Sequence, residues 1–215
     1  MVSVHDIEHR GALMKIAVYG ATGMVGSQIV AEAARRGHEV TAISRKGAPV
    51  EGAAVVRAAE LADTDAFREI AEANDAVVLA TAPDRTGGPR EPYIDAHRAI
   101  AAVPTAARLY LVGGFGGLST PDGTRIKDTP GFPAEYKGES DAAFAAYEAL
   151  RDAGADLTVQ APAAVIAPGE RTGKYVTAVG VPAAGESISS QDFAVAALDE
   201  LEQPQFRGTF FTAAN

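Results

Sequence analysis

Short apolar runs alternate along this chain with longer stretches in which apolar residues recur every three or four positions. Lys15-Ile16-Ala17-Val18-Tyr19 ends at Gly20 and reads, by length and flanks, as a buried strand. A helix over 24–36 follows, with Val25, Ile29, Val30 and Ala33 at helical spacing and Gly37 as its stop. Segments 39–43 and 54–57 read as the second and third strands. Segment 62–73 reads as a helix with Phe67 and Ile70 three apart, and 76–80 as a nearly all-apolar fourth strand. The alternation continues with a helix over 92–102 and a fifth strand over 109–112, ended by Gly113-Gly114. A long helix over 134–152, stopped by Gly154, precedes a sixth strand over 156–160. Ser189-Ser190-Gln191-Asp192 has capping-box spacing, with Asp192 where Glu or Gln is usual, and opens a helix through Leu201. Segment 209–212 reads as a last strand.

Near-continuous apolar strands alternating with amphipathic helices predict a parallel sheet covered on both faces. This is an α/β, doubly wound, three-layer arrangement of the Rossmann type, with ligands expected at the carboxyl ends of the strands. Segment 162–188 is rich in Gly, Pro and Ala and too long for an idle connection, so a small C-terminal substrate cap is expected there. Residues 14–215 are read as one domain, and 1–13 as an extension outside it.

Composition narrows the function. The 215 residues are 47% hydrophobic and 22% charged, an ordinary globular balance. The formal net charge of −9 argues against nucleic-acid binding and against docking on an anionic membrane. The absence of cysteine excludes disulfides, thiolate metal sites and a thiol nucleophile. No run approaches the ~18 apolar residues of a spanning helix. The first ten residues lack the apolar core of a signal peptide, so a cytoplasmic location is expected.

Gly20-Ala21-Thr22-Gly23-Met24-Val25-Gly26 lies between the first strand and the first helix. In that context Gly20 permits the tight turn, Gly23 lets backbone approach a pyrophosphate, and Gly26 lets helix pack closely on sheet. The helix start supplies free N–H groups and a positive dipole end. An acidic residue at the end of the second strand would bind the 2′-hydroxyl of NAD. Ser44-Arg45-Lys46 stands there instead. Arg45 can pair with a 2′-phosphate and Lys46 adds charge, so NADP(H) is expected over NAD(H). At ~1.5–3 kcal/mol per charge-assisted bond, the preference is about tenfold to a hundredfold or more.

With these motifs the chain resembles the atypical short-chain dehydrogenases, and within them the NmrA-like, NADH-flavin-reductase-like and biliverdin-reductase-B-like branch. The distinctive stretches are Leu111-Val112-Gly113-Gly114, 128–136, 167–175 and 188–194. The resemblance implies that Gly20, Thr22, Gly23, Met24, Val25 and Gly26 hold the pyrophosphate and Arg45 the 2′-phosphate. It places Glu60 and Leu61 near the adenine, with Glu60 where an Asp is usual and Ala59 where a Gly is usual. Ala80, Thr81 and Ala82 would line the ribose, and Gly113, Gly114 and Phe115 would border the nicotinamide. Pro162, Ala163 and Ala164 match the segment that closes over the carboxamide.

Catalytic residues are sparse. The Tyr-x-x-x-Lys pair that lowers a tyrosine pKa in better-known relatives is absent, and the nearest approach is Tyr147 to Arg151. Many relatives carry a Ser where this chain has Gly114 or Gly117, and Ser119 and Thr120, just beyond, are the candidates to substitute for it. Reduction of a flavin or quinone needs chiefly stacking geometry, because solvent can supply the proton. Phe115, Phe132 and Tyr136 could form such a pocket, with Tyr136 as the candidate polar contact. The expected activity is NADPH-dependent hydride transfer to a flavin, quinone or similar conjugated acceptor, by a monomer or homodimer. A non-catalytic NADP(H) sensor of the NmrA type is the alternative, and a sugar-nucleotide epimerase or dehydrogenase ranks last. His5-Asp6-Ile7-Glu8-His9 matches the inverted zinc metalloprotease pattern, but His38 and His97 fall on different elements, so no metal is expected. Asp63-Thr64-Asp65 reads as a helix cap.

Overall fold

The computed structural model describes residues 12–215. The His5–His9 motif and most of the expected extension lie outside the described residues. The chain runs β1 (Lys15–Tyr19), α1 (Met24–Arg36), β2 (Glu39–Ser44), β3 (Val55–Ala58), α2 (Thr64–Glu72), β4 (Ala76–Leu79), α3 (Glu91–Ala101) and β5 (Arg108–Val112). It continues through α4 (Ala134–Asp152), β6 (Leu157–Ala161), β7 (Val165–Ala167), β8 (Val176–Val179), β9 (Ser187–Ser189), α5 (Ser190–Glu202) and β10 (Phe210–Ala214). Two 3-10 turns, Phe115–Gly117 and Ile126–Asp128, separate β5 from α4.

Eight strands form one sheet in the order β3-β2-β1-β4-β5-β6-β10-β8, parallel except for β8 against β10. The order reverses between β1 and β4, so the crevice for a ligand opens there. Strand alternation sorts the core into two layers. Ile16 and Val18 pack with Ile29, Val30 and Phe193 on the α1/α5 face, whereas Ala17 and Tyr19 pack with Phe67, Ile100 and Leu150 on the face covered by α2, α3 and α4. α5 is buried almost all round, and its alanines let it lie close to both sheet and α1.

The local caps follow the residue types. Asp63 Oδ1 accepts from the Ala66 amide, and Ser189 Oγ from the Asp192 amide. Asp192 does not reach back to complete a capping box. It is fully buried and accepts from the Gly173 amide, the Thr172 hydroxyl and the Asn215 amide group. One carboxylate thus ties the 162–188 segment to α5 and to the chain end. That segment is more regular than its composition suggests. β7 and β9 pair with each other, and β8 extends the main sheet, each too short to show a period of its own.

His97, on α3, is fully buried. Its Nδ1 donates to the Tyr93 carbonyl at 2.8 Å, while Nε2 has no partner among the described residues. Burial lowers its pKa from 6.5 to about 4. Both folded and unfolded forms are neutral above pH 6.5, and below it the unfolded chain takes up the proton first. Stability from this site is therefore complete above pH 6.5 and is lost as pH falls toward 4, by about 3 kcal/mol in all. His97→Phe should flatten urea-measured stability between those limits, and an unchanged slope would contradict this account.

Candidate functional site

The loop after β1 is shaped by close backbone contacts. Gly20 has φ +75°, and a Cβ there would stand 2.4 Å from the Ala80 carbonyl oxygen at the end of β4. A Cβ on Gly26 would fall 2.2 Å from the Gly20 oxygen, and one on Gly23 3.2 Å from the same atom. The Gly23 amide donates to that oxygen at 2.9 Å, closing the turn. Gly23 is the N-cap of α1, with no side-chain cap bond and no acidic residue in the first turn. The first amides of α1 therefore face outward beside the exposed Thr22 and Met24, while Val25 packs toward the core. Such a helix start has the geometry that suits an anion.

β2 ends in a tight turn in which the Gly47 amide donates to the Ser44 carbonyl and the Ala48 amide to Ser44 Oγ. Arg45 and Lys46 project from it, exposed and without an ion pair among the described residues. Arg57, one strand away, is neutralised by Glu69 at 2.7 Å. Glu60 is exposed after β3, with Leu61 buried beside it.

Ala80 continues β4, its amide donating to the Tyr19 carbonyl. Thr81 follows, its Oγ1 buried without a partner, and Ala82 is exposed. At the end of β5 the two serine-equivalent glycines differ. A Cβ on Gly114 would meet nothing within 4 Å, whereas one on Gly117 would stand 2.9 Å from the Phe210 ring. Gly113 is closed in by Val159, and Phe115 is half-buried. After β6, Ala163 is buried, Pro162 half-buried and Ala164 exposed. All these segments stand at the carboxyl ends of neighbouring strands.

The catalytic candidates are placed less centrally. Ser119 Oγ accepts from Arg125 at 3.1 Å, and its amide donates to Gly180 beside β8. Tyr136 is in the first turn of α4, 55% exposed, and four residues on stands Ser140 rather than a lysine. Tyr147 is buried against Phe210 at 4.5 Å, with Arg151 over its ring. The same Phe210 ring lies against Gly113 and Gly117 past the end of β5, so Tyr147 stands one ring behind that strand end, with Arg151 one helical turn further along α4. The inward-facing residue that reading from sequence missed is Arg90, which has no motif around it.

A cradle that a Cβ would fill, uncapped helix amides and an orphaned hydroxyl at Thr81 all fit a dinucleotide. The NAD(P)H-binding family profile matches residues 20–204. The chain belongs to that family, and a nicotinamide dinucleotide is its cofactor class. Within the family it groups with atypical short-chain dehydrogenases of the flavin-reductase-like kind. The uncharacterized protein YwnB of Bacillus subtilis is 38% identical over 94% of this chain and 99% of its own length. A Burkholderia pseudomallei protein provisionally described as exported is 38% identical, with TM-score 0.83 over 94% of this chain and 100% of that one. A Streptococcus pneumoniae protein provisionally described as an NADH-flavin reductase is 30% identical, with TM-score 0.81 over 94% and 99%. No helix among the described residues is long and apolar enough to cross a membrane.

Proposed function

We propose that this chain is an NADPH-dependent oxidoreductase of the cytoplasm, passing hydride to a flavin, quinone or similar conjugated acceptor as a monomer or homodimer. The observation that carries the cofactor choice is Arg45, exposed and unpaired at the end of β2 where an acidic residue would select NAD. The acceptor class rests on likeness to the pneumococcal protein and on an α4 without the tyrosine–lysine pair.

When bound, the reduced nicotinamide supplies the hydride. The chain's own part is binding and orientation. Amides of Thr22, Met24, Val25 and Gly26 hold the pyrophosphate on the turn that Gly20 and Gly23 close, and Arg45 with Lys46 and Ser44 holds the 2′-phosphate. Glu60 and Leu61 border the adenine. Thr81 Oγ1 offers its buried hydroxyl to the ribose, between Ala80 and Ala82. Gly113 and Gly114 leave room beside the nicotinamide, and Pro162, Ala163 and Ala164 close over it. Phe115, Phe132 and Tyr136 are assigned to orient the acceptor and limit water, and solvent supplies the proton. Ser119 keeps its hydroxyl toward Arg125, so Tyr136 is assigned the polar contact.

A non-catalytic NADP(H)-binding regulator is the second reading, favoured by the same absent tyrosine–lysine pair. Following NADPH and NADH absorbance with FMN, riboflavin and a simple quinone separates the two. Acceptor-dependent NADPH oxidation is expected, with Arg45→Ala weakening NADPH about tenfold to a hundredfold and leaving NADH unchanged. Tight NADPH binding without turnover would select the regulator, and an unaltered NADPH preference in Arg45→Ala would refute the assignment of Arg45.

A further inference from the structure

Among the described residues, every arginine except Arg45 and Arg90 makes a hydrogen bond or ion pair within the chain. Arg45 projects into solvent, where water satisfies it. Arg90 is different. It is half-buried, and its Nε is shielded from solvent with no acceptor. A shielded guanidinium N–H without an acceptor is unfavourable, and a bound anion would satisfy it.

Its surroundings point the same way. Arg90 is the N-cap residue of α3, at the end of the loop that leaves β4 through Thr81. Its guanidinium lies against α4, where a Cβ on Gly138 would stand 2.8 Å from Nη1 and 3.0 Å from Cζ. Glycine is unfavourable inside a helix, and this close approach is the physical reason for one here. Neither α3 nor α4 has a side-chain N-cap bond, so two helix starts add positive potential around the guanidinium. No carboxylate among the described residues is within ion-pair distance of it. Glu139 binds Arg85, and Asp84, whose negative charge acts on Arg90 from further off, accepts from the Thr86 and Gly88 amides. Glu91, in the first turn of α3, is exposed.

We propose that Arg90 recognises an anionic group, a phosphate or a carboxylate, on the acceptor, so that the site selects anionic conjugated acceptors over neutral ones. This rests on the reductase reading. Tyr136 stands in the first turn of the same α4, and Thr81 begins the same loop, so acceptor and guanidinium share the carboxyl edge of β4 and β5.

The test compares affinities for FMN and riboflavin, and for a carboxylated quinone and its methyl ester, with protein saturated in NADP+. Wild type should bind each anionic member at least tenfold tighter. Arg90→Gln should bring each pair within about twofold, with NADP+ affinity unchanged. Gly138→Ala, which displaces the guanidinium but favours the helix, should weaken the preference without lowering Tm, and it serves as the probe if Arg90→Gln fails to fold. Selectivity in the FMN pair alone would identify phosphate as the recognised group, and in the quinone pair alone, carboxylate. Equal affinity within both pairs in wild type, or a preference that survives both variants, would overturn the proposal. Anionic preference without NADPH turnover would sink the reductase and keep Arg90 as an anion site. NADPH turnover with no anionic preference in either pair would do the reverse.

Discussion

Gly26→Ala is expected to weaken NADPH binding at least a hundredfold, about 3 kcal/mol. The added methyl would meet the Gly20 carbonyl oxygen at 2.2 Å and its carbon at 2.9 Å. Both are backbone atoms, and no rotamer change relieves the clash. The same oxygen accepts the 2.9 Å bond from the Gly23 amide, so moving it opens the turn that aims the first amides of α1. Gly20 cannot retreat freely, because it already sits against the end of β4. Gly23→Ala provides the graded comparison, since its methyl would meet that oxygen at 3.2 Å and needs only a small shift. Calorimetric titration alongside thermal melts separates lost binding from lost folding. A folded Gly26→Ala protein that binds NADPH within tenfold of wild type would refute this role for the loop.

Glu200→Ala should produce the largest loss of stability, about 3–5 kcal/mol and roughly a 10 °C fall in Tm. Glu200 is 3% exposed on α5, and Arg108, at the start of β5, is 4% exposed. Their side chains are paired, and Arg108 also donates to Thr158 Oγ1 and to the Glu200 carbonyl. The Glu200 carboxylate further accepts from the Gln205 and Phe206 amides, which brings the chain into its last strand. Removing the glutamate leaves a buried cation without its counter-charge and two amides without their acceptor. The paired variant Arg108→Met/Glu200→Leu should recover much of the loss, because no charge is then left uncompensated. A single variant as stable as wild type would show that water reaches this cluster freely.

Several features of the candidate site are legible in the sequence alone. The strand–glycine loop–helix run placed Gly20, Gly23 and Gly26 because their requirement is local: a positive φ or a close approach within a few residues. Arg45 was legible because the end of β2 is a fixed number of residues from a recognisable strand. The helices of 24–36 and 134–152 followed from periodicity and glycine stops. β8 was not legible. Four residues between glycines carry little pattern, and what makes them a strand is a partner, β10, more than thirty residues away. Asp192 looked like a helix cap, yet its carboxylate serves distant groups on Thr172, Gly173 and Asn215. The choice between Gly114 and Gly117 likewise turned on Phe210, a residue of the last strand.

What the chain's order of residues determined by itself is therefore the doubly wound alternation, the tight glycine loop after β1 and the charge at the end of β2. Each depends on contacts within one turn or one supersecondary unit. Only the tertiary structure decided which charges are neutralised and which are not. Arg57, Arg85 and Arg108 look no different in sequence from Arg45 and Arg90, but the first three meet carboxylates brought from other elements. Long-range pairing follows from how helices and strands pack against one another, and no local pattern encodes that.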